Sequence, residues 1–153
     1  MIEYRRIKLL DVPAITDLAV KALTPSQSYP LHLDRAKVQK MVQGFAIDRS
    51  HYNMAAFKDE KPVGGIALYV VESPFFERHE GHVVMAFSEE PGTGARLIRL
   101  MMDWVKADMR VRRVVWSMNE ACGDNSIAAR FGRMVKRRYG FASRHDNLVF
   151  YKE

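Results

Sequence analysis

Apolar and polar residues alternate from Ile2 to Ile7, and this period of two predicts a first β-strand. The period then lengthens. Val12, Ile15, Leu18, Ala19 and Ala22 recur at helical spacing, with Asp11 at the N-cap and Pro13 in the first turn. A helix is therefore expected to about Leu23, and Thr24–Pro30 reads as a loop by composition. Asp34 caps a second predicted helix whose apolar face is Val38, Met41, Val42 and Phe45. From about Asn53 the period returns to two. Asn53–Lys58 and Pro62–Glu72, joined by a turn at Asp59-Glu60-Lys61, read as a hairpin. Ser73–Glu80 reads as a loop carrying Phe75 and Phe76, and Gly81–Ser88 as a short apolar strand.

After Glu89–Ala95 a helical pattern begins at once. Leu97, Met101, Trp104 and Val105 line one face, and Arg96, Arg99, Asp103, Lys106 and Arg110 the other. Arg112–Met118 is a further strand. Asp124 or Asn125 caps a last helix with Ile127, Phe131, Met134 and Val135 inward and Arg130, Arg133 and Arg137 outward; Gly140 ends it. Phe141–Arg144, a turn at His145-Asp146-Asn147, and Leu148–Lys152 close the chain as a second hairpin. The order is β-α-α-β-β-β-α-β-α-β-β, with no internal repeat and no dividing linker. One α/β domain over residues 1–153 is expected.

Composition narrows the class. Nearly half of the 153 residues are apolar, enough for a core. The longest apolar runs, Gly64–Val71 and Val83–Phe87, are too short to span a bilayer, and Met1–Lys8 does not read as a signal peptide. One cysteine, Cys122, excludes an internal disulfide and a Cys-based zinc site, so a cytoplasmic protein is expected. The histidines show no metal spacing beyond the weak His79-x-x-His82. Residues 1–95 hold 11 basic and 12 acidic side chains; residues 96–153 hold 13 and 6. The C-terminal half therefore suits an anionic partner: a phosphorylated cofactor, an acidic surface or a nucleic acid.

The sharpest local feature is Pro91-Gly92-Thr93-Gly94-Ala95, set between an apolar strand and an amphipathic helix. Two glycines permit a tight turn, and the helix head offers unpaired N–H groups and a partial positive charge. That combination binds phosphate or pyrophosphate. A nucleotide P-loop is not expected, because no Gly-Lys-Ser/Thr follows, nor a dinucleotide fingerprint, because Leu97 stands where its third glycine belongs.

This turn resembles the Gln/Arg-x-x-Gly-x-Gly/Ala motif of the GCN5-related N-acetyltransferases (GNAT), as Glu89-x-x-Gly92-x-Gly94. Asn125-Ser126-Ile127-Ala128 resembles the family's Asn-x-x-Ala, and Gly140-Phe141 its Gly-Phe. The order of elements over almost the whole chain is also similar. The resemblance implies a GNAT-like mixed, mostly antiparallel sheet flanked by about four helices. It implies acetyl-CoA as cosubstrate and transfer of its acetyl group to a primary amine by direct attack in a ternary complex. The amides of Gly92, Thr93, Gly94 and Ala95, with Arg96 at the edge, would hold the pyrophosphate. The backbone of Met85, Ala86, Phe87 and Ser88 would pair with the pantetheine arm, Asn125 would touch that arm from the other side, and an N–H near Phe87 would polarise the carbonyl.

Glu89 stands where the family carries Gln or Arg, so its carboxylate must turn away or be compensated, with Arg96 the expected compensator. The family's acidic Tyr is replaced by Lys136 or Gly132, depending on the count, which leaves Tyr139 as the nearest phenol. His82, Glu80 and Glu72 are the candidate bases, directly or through water. Tyr29, Tyr52, Phe75 and Phe76 line loops, as small satellite clusters or as an acceptor pocket. Trp104 and Trp116 are expected in the core. Two rivals remain: a GNAT fold without activity that binds a partner, and a nucleic-acid module built on Arg130, Arg133 and Arg137, which lacks a base-stacking aromatic set. The amine acceptor, small molecule or protein, is open, as is a homodimer; neither membrane nor nucleic acid is the expected partner.

Overall fold

The computed structural model describes residues 1–23, 33–117, 127–144 and 147–152. Its strands are β1 (Ile2–Arg5), β2 (Tyr52–Lys58), β3 (Lys61–Glu72), β4 (His79–Ser88), β5 (Val111–Ser117), β6 (Ala142–Arg144) and β7 (Asn147–Tyr151). Its helices are α1 (Val12–Leu23), α2 (Arg35–Ile47), α3 (Thr93–Ala107) and α4 (Ile127–Tyr139). The seven strands form one sheet in the order β1-β2-β3-β4-β5-β7-β6. Every neighbouring pair is antiparallel except β4 and β5. Among the described residues no helix is long and apolar enough to cross a membrane.

Each face of the sheet carries its own core. Leu97, Ile98, Met101, Met102 and Val105 of α3 are all but fully buried, with Val135 of α4, against Ile66, Leu68, Val83, Val114 and Trp116. Burial of each such side chain stabilises by about 1.5–3 kcal/mol. Trp104 packs half-buried on the same core, tilted against Tyr52. On the other face Ile15, Ala19, Val42 and Phe45 of α1 and α2 pack on Ala55, Phe57, Ala67, Met85 and Phe87. Buried Asn53 ties this layer together: its Oδ1 accepts from Ile7 N–H at 2.8 Å and its Nδ2 donates to the Phe45 carbonyl at 2.9 Å.

The periods locate the elements, but their boundaries move: β2 begins at Tyr52, β5 at Val111, β6 at Ala142 and β7 at Asn147, and α3 ends at Ala107, so that Arg110 lies outside it. β1 ends at Arg5 rather than Ile7. Asp11 does not cap α1; it lies in a short 3₁₀ turn, Leu9–Asp11, and its carboxylate takes the Lys8 N–H and both arms of Arg5. The β2–β3 turn is only Asp59-Glu60, both at positive φ (50° and 64°), so Lys61 belongs to β3. β4 begins at His79, because its first residues pair with β3 on one side and β5 on the other. The polar His79-Glu80 pair carries no apolar alternation, so only those neighbours reveal it as strand. Asp34 caps α2 as expected, accepting from Lys37 N–H.

Candidate functional site at the parting of β4 and β5

The site starts from a one-residue irregularity. Val83 pairs with Leu68, yet Met85 pairs with Ala67, so Val84 is an extra residue in β4. Such a bulge reverses the phase of the side chains beyond it. Val83 accordingly packs in the α3 core, while Met85 and Phe87 pack in the α1–α2 core. At the same point β4 loses its other neighbour. β5 runs beside it from His79–Val111 to Val83–Trp116 and no farther. Beyond, β5 stays with β7 through Ser117, while β4 continues to Ser88. Val84–Ser88 therefore present about 16 Å of strand edge to which no described strand is paired.

At the end of that edge lies the glycine turn. Gly92 adopts φ 79°, the left-handed region that glycine enters without strain, and nothing stands within 4 Å of where its Cβ would be. Thr93 N–H is used by the Glu90 carbonyl and Arg96 N–H by the Gly92 carbonyl. The N–H groups of Gly94 and Ala95 have no acceptor among the described residues, and the buried Thr93 hydroxyl is likewise unpartnered. The head of α3 sits low because β3 has glycine beneath it: a Cβ on Gly64 would lie 3.0 Å from the Phe87 carbonyl and 3.3 Å from Thr93 Cγ2. The turn is thus open, and its donors point outward from a helix head of partial positive charge.

The acidic residues leading into the turn are held aside. Glu89 Oε1 accepts from Lys21 Nζ at 2.6 Å and Glu90 Oε1 from Lys58 Nζ at 3.0 Å. Compensation of Glu89 comes from Lys21 at the end of α1, not from Arg96, which remains exposed on the first turn of α3.

At the other end of the gap the register sorts the candidate bases. His82 pairs with Tyr69 of β3 and Val115 of β5, one row before the strands part. Its side chain is 40 % exposed, and its Nε2 lies 3.4 Å from Glu80 Oε2. Glu72 pairs with His79 at the far end of β4, about 13 Å along the strand from Val83 and on the opposite parity from Tyr69. The fold therefore removes Glu72 from the gap. Tyr139 lies on the α3 face of the sheet, opposite to Tyr69. Its ring lies 5.8 Å from Lys106 Nζ, at the C-terminal end of α3, whereas the turn is at the N-terminal end some 20 Å away. Tyr139 packs against the α3 core. Asn125 and Tyr29 lie outside the described residues.

One phenol beside the site escaped the sequence reading. Tyr69, across from His82, stacks on Phe45 at 4.6 Å and meets His51 edge-on at 5.0 Å. Burial raises its pKa, so it keeps its proton well above neutrality. Only strand pairing places it there; in the sequence it is one more apolar position of β3. Tyr52 is buried on the α3 face, and burial likewise raises its pKa.

No known family's profile and no curated protein matches the sequence. Solved structures do match in shape. A GNAT-family acetyltransferase from Streptococcus pneumoniae superposes with a TM-score of 0.70 at 12 % identity, over 100 % of both chains. The PaiA N-acetyltransferase of Thermoplasma acidophilum, in complex with coenzyme A, gives 0.69 at 14 %, over 100 % of this chain and 99 % of that one. An aminoglycoside acetyltransferase from an uncultured soil metagenomic sample, in complex with sisomicin, gives 0.63 at 19 %, over 99 % and 95 %. The mixed, mostly antiparallel sheet with four α-helices is the GNAT fold, as the motif resemblance implied.

Proposed function

We propose that this chain is an acetyl-CoA-dependent N-acetyltransferase acting on a primary amine. The observation that carries the reading is the coincidence of two openings along one strand: the edge of Val84–Ser88 and the open amide turn at Gly92–Ala95. An elongated thioester with a diphosphate at one end matches both. Gly92, Gly94 and Ala95 would hold the diphosphate through N–H groups, with the Thr93 hydroxyl, rather than its N–H, which is used by the Glu90 carbonyl, and Arg96 beside them. Met85–Ser88 would pair with the amide groups of the pantetheine arm as an added strand would. Acetyl-CoA supplies an activated acyl group whose thiolate leaves on attack.

The chain's own residues do the rest. The unpaired main-chain N–H groups following the bulge orient the carbonyl and polarise it. His82, beside the parting of the strands, takes the proton that the attacking ammonium must lose, with Glu80 holding the imidazole. Imidazole is the side chain suited to that exchange near neutral pH. Tyr69, protonated and one strand away, is the phenol placed to return a proton to the departing thiolate. Positioning in the gap supplies much of the acceleration. Among the solved relatives in shape is a ribosomal-protein-alanine N-acetyltransferase from Brucella melitensis as well as the aminoglycoside enzyme, so the fold alone leaves the acceptor open.

Thermal unfolding with and without acetyl-CoA tests the reading, followed by thiol release with a panel of amines. Stabilisation by acetyl-CoA that is absent in Gly92→Glu, together with amine-dependent thiol release, is expected. No stabilisation and no release would overturn it.

A further inference from the structure

One charged cluster stands apart from the phosphate-binding turn. On the face of the sheet that carries α1 and α2, two rows cross four strands: Tyr69, His82, Val115 and Val149; and Val71, Glu80, Arg113 and Tyr151. The α1–α2 core takes residues from β2, β3 and the Met85–Phe87 end of β4, and none from β5 or β7 among the described residues. In the second row Glu80 is outnumbered. Its Oε1 faces Arg113 Nη1 at 3.1 Å and Arg78 Nη2 at 3.5 Å. Arg113 also lies 5.6 Å from the Tyr151 ring, and Arg78 4.9 Å from the Phe76 ring. Aromatic faces thus hold both guanidiniums in fixed orientation.

Their hydrogen bonding is incomplete. Both Nε–H groups are buried without an acceptor, and Arg78 donates no side-chain hydrogen bond among the described residues. Guanidinium offers five donors, and one carboxylate shared three ways cannot satisfy two of them. Glu77, in the neighbouring loop, makes no ion pair with either arginine. The cluster carries two positive charges against one negative before His82 is counted. This surplus does not serve the diphosphate, because Glu80 is eight residues, about 26 Å, from Ser88 along β4. It lies instead one row, about 7 Å, behind His82.

We propose that Arg78 and Arg113 bind a carboxylate on the acceptor, so that the substrate class is small amino carboxylates: α-amino acids, short ω-amino acids or a short peptide. This rests on the acetyltransferase reading for the chemistry, but not for the binding. An amine placed at His82 carries its carboxylate back toward the arginines across one row. A polycationic acceptor meets repulsion in the same place, since the single acid there is already shared by two guanidiniums.

The test uses the full chain and matched probes: leucine, leucinamide and 3-methylbutylamine, with 4-aminobutanoate and 4-aminobutanamide as a second pair. Thiol release gives kcat/KM for each, and calorimetry gives affinity for the protein with and without coenzyme A. The expected result is at least a tenfold preference for the carboxylate in one or both sets, in rate and in affinity. That ratio falls toward one in Arg78→Gln and in Arg113→Gln; Arg78→Gln, in the loop before β4 rather than within a strand, keeps the test open if the other variant unfolds. Equal affinity for acid and amide in both sets overturns the proposal whether or not turnover occurs. Failure to bind acetyl-CoA overturns the acetyltransferase reading instead, and calorimetry on the free protein still decides the carboxylate site.

Discussion

Lys21 Nζ donates to Glu89 Oε1 at 2.6 Å, and this ion pair joins the last turn of α1 to the first residue of the glycine turn. It explains how an acidic side chain is tolerated where the motif elsewhere has Gln or Arg. Lys21→Ala leaves the Glu89 carboxylate unpaired beside the proposed diphosphate site. Affinity for acetyl-CoA should fall by roughly two- to fivefold, the scale of an exposed ion pair, and more at low salt. Glu89→Gln should restore it in the double variant. Calorimetry at two ionic strengths checks both.

Gly92 and Gly64 serve the same turn for different reasons, and alanine separates them. At Gly92 there is space for a methyl group but φ is 79°, so Gly92→Ala should cost about 1–2 kcal/mol of conformational strain. At Gly64 an added Cβ would lie 3.0 Å from the Phe87 carbonyl of β4 and 3.2 and 3.3 Å from Leu97 Cδ1 and Thr93 Cγ2 of α3, so Gly64→Ala must press the helix head and β4 apart and should cost about 1–3 kcal/mol. Denaturant unfolding gives both costs. Gly92→Asn, which tolerates the left-handed region, should lose less than Gly92→Ala.

His82→Gln should lower kcat by about 10²–10⁴-fold, the usual contribution of a positioned base, while leaving acetyl-CoA affinity intact. Tyr69→Phe removes only the phenol from the row beside it; a fall in kcat with little change in acetyl-CoA affinity is expected. Glu72→Gln, at the far end of β4, and Tyr139→Phe, on the opposite face of the sheet from Tyr69, should change kcat by less than about twofold.

The acid limb of stability should run through Asp11. Arg5 donates to both its oxygens, at 2.6 and 3.0 Å, and this bonding holds its pKa below the ordinary carboxylate range. A depressed folded-state pKa contributes stability that is present above the unfolded value, near 4, and lost as pH falls through the folded one. Asp11→Asn should therefore cost about 1–2 kcal/mol at neutral pH and unfold with a shallower pH dependence below pH 4. Thermal midpoints from pH 2 to 7 measure the difference.

Much of this architecture was legible because periodicity reports which face of an element is buried. The faces of α2 and α3, the hairpins and the order of elements follow from it. The turn at Gly92 was legible because only glycine enters its conformation freely. The bulge at Val84 was not, because Val83-Val84-Met85 is a run of apolar residues that fits a buried strand in either phase; packing on two different cores alone fixes the shift. Glu72 and Tyr139 were plausible by residue type and nearness in sequence. Strand register puts the first at the far end of β4, and packing puts the second on the opposite face of the sheet from Tyr69.

The sequence by itself determined the elements, their order and the glycine turn at the head of α3, since these depend on spacing and backbone freedom within short segments. Tertiary structure alone decided what stands beside what: Lys21 against Glu89, Tyr69 across from His82, and two arginines around Glu80. Such pairs join residues far apart in the chain. Their proximity comes from sheet register and helix packing, which no local pattern encodes.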